Sequence, residues 1–188
     1  MPRISRALAA IALAFAMSGC IGATDRADFD AEVRARGGGL TSAWIAEALD
    51  LVAAEVSVSP TSEMQLLTLS INPPNRSMSA TARRGDEPSF ADSVVVSQGN
   101  VVAVSPIQNA DRAPLDEVTF TVGEVALSDI ESVGDEALRE FGETDGFIDA
   151  ITITLNNGEP VMAMSLSSAR RTATARFEAD GTFIEVLR

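Results

Sequence analysis

Residues 151–166 read Ile151-Thr152-Ile153-Thr154-Leu155-Asn156-Asn157-Gly158-Glu159-Pro160-Val161-Met162-Ala163-Met164-Ser165-Leu166, and this stretch decides the fold. Apolar Ile151, Ile153 and Leu155 alternate with Thr152 and Thr154. A period of two is the pattern of a strand with one face buried and the other in water. Asn156-Asn157-Gly158 brings residues that tolerate a positive φ, so the chain turns there. Met162, Met164 and Leu166 carry the apolar face on into a returning strand.

Residues 67–82 lie on residues 151–166 without a gap. Leu67, Leu69 and Ile71 match Ile151, Ile153 and Leu155; Thr68 falls on Thr152, Asn72 on Asn156 and Met78 on Met162. The same logic gives a strand with Leu67, Leu69 and Ile71 inward and a turn at Asn72-Pro73-Pro74-Asn75. A second strand has Met78, Ala80 and Ala82 inward. Residues 94–96 and 101–104 form a hairpin around Gln98-Gly99-Asn100, and residues 172–177 and 183–187 another around Asp180-Gly181. Residues 106–114 read as a linker and residues 118–122 as a short strand.

Helical spacing appears twice. Trp44, Ile45, Ala48, Leu51, Val52 and Val56 form one apolar stripe, which predicts a helix over residues 40–56 with Trp44 in the core. Ser128-Asp129-Ile130-Glu131 has the spacing of a capping box, which predicts a helix to Phe141 with Ile130, Val133, Ala137, Leu138 and Phe141 buried, despite Gly134 in its interior. The expected fold is α+β, with about eight strands and two main helices. It is arranged as two helix-plus-antiparallel-meander units, residues 27–112 and 113–188, as small units or within one domain. The matched positions suggest a duplication; the alternative is the ordinary likeness of any two meanders.

The chain begins with Arg3 and Arg6, then an uncharged apolar run over residues 7–17, then Ser18 and Gly19. That order is a secretory signal, and the run falls short of the about 20 residues a membrane span needs. Met17-Ser18-Gly19-Cys20 resembles the lipobox of bacterial lipoproteins, with Met17 in place of the usual Leu. The resemblance implies that residues 1–19 are removed, that Cys20 receives the lipid, and that residues 20–26 are a short tether. It also implies outer-membrane sorting, periplasmic side, because Ile21 stands where an inner-membrane retention Asp would. Two or three acyl chains, at about 0.8 kcal/mol per buried methylene, hold such a protein stably. Residues 28–36 read as a short helix ended by Gly37, Gly38 and Gly39, with Asp25, Asp28, Asp30 and Glu32 as acids near its start.

A helix followed by a four-stranded meander, present twice, resembles the tandem arrangement of the β-lactamase-inhibitor-protein type, and each unit resembles a PepSY-type periplasmic domain. The resemblance rests on element order and implies a protein that binds rather than catalyses.

Composition narrows the chemistry. The net charge is −13; with Arg3 and Arg6 removed, 12 Arg face 27 acids and it becomes −15. Nucleic acid is not an expected partner, since phosphate binding needs a basic surface. There is no His, no Lys and no Tyr, so a serine nucleophile has no ordinary base and an imidazole pH switch is excluded. The single Cys is the lipid site, which leaves no disulfide and no His/Cys zinc set. No cofactor, metal or catalytic residue is assigned. Glu143, Asp145 and Asp149 around Gly146 offer oxygen ligands, but without calcium-loop spacing they read as a solvated turn.

What remains is a surface. If the apolar strand faces pack on the helices, the opposite face displays Thr68, Ser70, Ser77, Ser79, Thr81, Arg83, Thr152, Thr154, Thr172, Thr174 and Arg176. Short hydroxyls and planar Arg heads suit an envelope protein partner; a sheet face that merely meets water is the alternative. The expected function is a lipid-anchored, non-enzymatic binding or structural protein, with a carboxylate-dependent envelope hydrolase as the second reading.

Overall fold

Alternating burial along the inner strands makes one apolar sheet face, and two amphipathic helices cover it. The computed structural model describes residues 40–107 and 115–188, all within the unit Val33–Arg188. The first helix, α1 (Ser42–Glu55), is capped by the Thr41 hydroxyl, which accepts from the Trp44 N–H at 3.3 Å. Four strands follow: β1 (Gln65–Asn72), β2 (Ser77–Arg83), β3 (Ala91–Ser97) and β4 (Asn100–Pro106). A single turn, α2 (Leu115–Val118), and the two-residue β5 (Phe120–Thr121) precede α3 (Ile130–Phe141). The chain ends with β6 (Phe147–Asn156), β7 (Glu159–Ser167), β8 (Thr172–Glu178) and β9 (Phe183–Leu187).

The strands form one nine-stranded sheet in the order β4-β3-β2-β1-β6-β7-β8-β9, with β5 beside the start of β1. Every pairing is antiparallel. At its middle β1 meets β6, where Leu69 faces Ile153 and Ile71 faces Ile151. Helix α1 packs over β2, β3 and β4, and α3 over β6 to β9. Leu69, Ile71, Met78, Val94, Ile151, Ile153, Met162, Met164 and Phe177 fill the space beneath, and Trp44 joins them at 5% exposure. Its indole Nε1 has no hydrogen-bond partner.

The expectation of two helix-plus-meander units is corrected. The α+β class fits, but the molecule is predominantly a single antiparallel sheet carrying two main helices, and the β1–β6 ladder runs straight across the boundary expected near residue 112. Period-two reading locates strands but not which strands from distant parts of the chain will pair.

Three local expectations are also corrected. Leu66, not Leu67, is the buried residue at the start of β1, because a bulge between Leu66 and Thr68 shifts the phase and leaves Leu67 half-buried. Residues 118–122 are not one strand: α2 ends at Val118, only Phe120–Thr121 pairs, and Val122–Glu124 is a 3₁₀ turn. The capping box expected at Ser128 is absent, since Asp129 is the N-cap residue of α3 and makes no side-chain cap. Glu131 reaches a different helix end, and a capping box joins Thr121 and Glu124 instead.

The hairpin turns follow their residues. Gln98 and Gly99 sit at φ 52° and 75°, and Asn157 and Gly158 at 54° and 88°, the paired positive values that match a two-residue turn to strand twist. The signal segment, Cys20, the tether, the acids at positions 25–32 and most of the linker lie outside the described residues. Among the described residues no helix is long and apolar enough to cross a membrane.

Candidate binding face

The sheet face turned away from the helices carries the hydroxyls, and strand register sets them in rows. Ser105 pairs with Ser93, Ser93 with Thr81, Thr81 with Thr68, and Thr68 with Thr154. Five adjacent strands from β4 to β6 thus present a hydroxyl at one level, about 4.8 Å apart. In the neighbouring row Ser79 pairs with Ser70 and Ser70 with Thr152. The row continues through Ala163 to Arg176 and Glu185. Thr174 opposes Ser165 and Thr172 opposes Ser167. The side chains of Thr68, Ser70, Thr152 and Thr172 are exposed, while Thr81, Thr154 and Thr174 are half-buried by their neighbours.

The two arginines expected on this face have local partners. Arg83 donates from Nε to the Pro88 carbonyl at 2.6 Å and from Nη1 to Gln65 Oε1 at 2.7 Å. Arg176 donates to Glu185 Oε1 at 2.8 Å, pairing β8 to β9 across the sheet. The structure therefore brings Thr68, Ser70, Ser79, Thr81, Thr152 and Thr154 together over the middle of the sheet, places Thr172 and Thr174 apart on β8 beside the edge strand, and leaves the two guanidinium groups engaged on β2 and β8. Sequence reading missed Ser93, Ser105 and Ser165, whose outward phase follows from the alternation of β3, β4 and β7.

The acids read as a turn have structural partners. Glu143 pairs with Arg171 at 2.5 Å, and Asp145 accepts from the Ala169 N–H at 3.0 Å. Arg171 also donates to the Phe141 carbonyl at 3.1 Å and lies 5.4 Å from the centre of the Phe141 ring. These contacts tie the end of α3 to the β7–β8 connection; Asp149 is exposed at a bulge in β6.

Two clefts open elsewhere. One of about 300 Å³ lies between Val58, Glu63, Gln65, Arg83, Arg84 and Pro88. Arg84 is committed there to Asp86 at 2.7 Å and to the buried Asp92 at 3.0 Å. The other, about 350 Å³, is an apolar groove between Ile45 and Leu49 of α1 and Val122, Val125 and Leu127. Each is lined by one carboxylate, Glu63 in the first and Asp50 in the second. Asp50 accepts from the Thr61 hydroxyl at 2.6 Å.

Together these features define a helix-backed antiparallel sheet with a hydroxyl-rich face turned away from the helices. No family model matches the chain, and no curated protein matches it. Among solved structures it is similar to the crystal structure of a "putative lipoprotein" from Clostridium difficile 630, with a TM-score of 0.52 and 10% identity over 74% of this chain and 88% of that one. At that identity the likeness is one of fold.

Proposed function

We propose that the chain is a lipid-anchored lipoprotein of the cell envelope, cut before Cys20 and held on the periplasmic side of the outer membrane. Its sheet serves a non-enzymatic binding or structural role toward an envelope protein. The observation that carries this reading is the order of the first twenty residues: Arg3 and Arg6, the apolar run, and Ser18-Gly19-Cys20 where cleavage falls. The fold likeness to a protein described as a lipoprotein agrees with it. The binding role is supported by the hydroxyl rows of Thr81, Thr68, Thr154, Ser70 and Thr152, which lie on the side of the sheet opposite both helices.

A photo-reactive side chain at Ser70 or Thr152 tests the binding role, with Glu47 on the exposed side of α1 as control. The expected result is one adduct from the sheet positions only, lost when Thr68 and Thr154 are both replaced by Arg. No adduct, or the same adduct from Glu47, contradicts it.

A further inference from the structure

We propose that the groove between α1 and residues 122–128 docks a cationic amphipathic segment of a partner protein, with its apolar side chains in the groove and its Lys or Arg residues over the rim. The groove lies on the helix side of the sheet, and the inference depends neither on the hydroxyl face nor on the lipid anchor. Ile45 and Leu49 of α1 form one wall, and Val122, Val125 and Leu127 form the other. At about 350 Å³ it stands at the small end of the about 300–1,000 Å³ that ligand sites span. It therefore accepts a few side chains rather than a folded surface.

Charge decides what fills it. The chain has no Lys, and its arginines avoid both walls: residues 40–75 hold four acids and no Arg, and residues 115–138 hold seven acids and no Arg. Three of these carboxylates are fixed beside the groove by neutral donors. Asp50 lines it and accepts from the Thr61 hydroxyl at 2.6 Å. Glu131 accepts at 2.7 Å from the N–H of Ser42, another lining residue. Glu124 follows Gly123 of the lining and accepts from the Thr121 N–H at 2.7 Å. Among the described residues none of the three pairs with an arginine, so their charge is held in place and uncompensated.

Oriented carboxylates of this kind attract a cation and repel an anion. A fatty acid, an anionic lipid surface or the same acidic walls of a second copy meet repulsion at the rim. A segment with aliphatic residues set between Lys or Arg satisfies the apolar floor and the rim together. Laying one face of a short amphipathic segment into an apolar groove is a recurring mode of peptide recognition.

The test is fluorescence anisotropy of a labelled octapeptide of Lys and Leu, titrated with the full chain in nonionic detergent, with protein-free micelles as the blank. Companion peptides exchange Lys for Glu or Leu for Ser. Ala46 is exposed on α1 and lines the groove, whereas Ala54 is exposed further along the same helix and does not line it. The Lys/Leu peptide is expected to bind the parent, less tightly as salt rises, and both companions to bind about tenfold more weakly or worse. Ala46→Arg should weaken binding about tenfold, while Ala54→Arg, the same charge change on the same helix, should leave it unchanged. Asp50→Asn keeps an acceptor for Thr61 and removes the charge, so it should weaken binding at low salt and much less at high salt. That variant decides the matter if Ala46→Arg is not folded by circular dichroism. No binding to the parent, equal binding of either companion peptide, or equal weakening by the two arginine substitutions overturns the proposal. So does a parent chain that dimerises and is made monomeric by Ala46→Arg, since a second copy then fills the groove.

Discussion

Glu131, in the first turn of α3, caps the first residue of α1: its Oε1 accepts from the Ser42 N–H at 2.7 Å and from the Ser42 hydroxyl at 2.9 Å. One carboxylate thus satisfies a free N–H at the start of one helix while standing at the start of another, where both dipoles favour negative charge. Partial burial pushes the Glu131 pKa up, but hydrogen bonds from the Ser42 N–H, its own backbone N–H and the Ser42 hydroxyl outweigh it and hold the group below the usual carboxylate range. Glu131→Ala should lower stability by about 1 kcal/mol, the scale of a lost helix cap, in urea unfolding at neutral pH. An unchanged midpoint would show that the cap adds nothing.

The sign of its pH dependence follows. A carboxylate whose pKa is depressed on folding contributes stability above its unfolded pKa and loses it as pH falls through the folded value. The difference between parent and Glu131→Gln should therefore be present at neutral pH and close on acidification below the unfolded carboxylate pKa of about 4.3. A gap that widens with acid would contradict this.

Gly85 lies where the segment after β2 crosses the end of α1, and its N–H donates to the Val56 carbonyl at 2.7 Å. A Cβ there would collide with the Ser57 carbonyl oxygen, which is backbone and cannot swing aside. Gly85→Ala should therefore destabilise by about 1–3 kcal/mol despite reducing the freedom of the unfolded chain. Thermal melting that rises instead would show the turn to be slack.

Asp92 is 5% exposed and receives Arg84 Nη1 at 3.0 Å, while Asp86, on the same guanidinium, is about half exposed. Removing Asp92 takes away an acceptor at a point water reaches poorly and leaves the Arg84 Nη1 donor short of a partner there, whereas water can replace the exposed Asp86 carboxylate. Asp92→Ala should lower the melting temperature clearly more than Asp86→Ala. Equal effects would mean that burial of Asp92 is immaterial.

Leu69 and Ile153 oppose one another at the centre of the sheet, both fully buried. Either change to Ala should cost about 2–5 kcal/mol, and because the two sites touch, the double change should cost less than the sum. Strict additivity in chemical denaturation would mean that the two strands do not share one core.

Much of this architecture is legible in residue order. Met78-Ser79-Ala80-Thr81-Ala82 alternates without interruption, and β2 follows it residue for residue. Asn157-Gly158 names its own turn. What is not legible is what depends on distant partners. The bulge after Leu66 answers to strands on either side of β1, and Glu131 fits its local capping pattern yet serves Ser42, 89 residues away in sequence. The hydroxyl face was legible in composition and alternation, but its rows arise only once β1 lies beside β6. No local pattern announces that pairing.

The proposed lipid anchor also makes a labelling prediction. With no Lys in the chain, a fully acylated Cys20 leaves the mature protein without a primary amine. An amine-reactive dye should not label the membrane-extracted protein; labelling at Cys20 would mean that its amino group stays free.

The proposed location at the envelope membrane depends on one sulfur atom, that of Cys20, carrying lipid. Membrane fractionation of Cys20→Ser beside the parent measures this most directly. The variant should keep its first nineteen residues and lack the lipid-dependent partitioning into detergent that the parent shows. A variant that is trimmed at the same place and partitions like the parent would contradict the account.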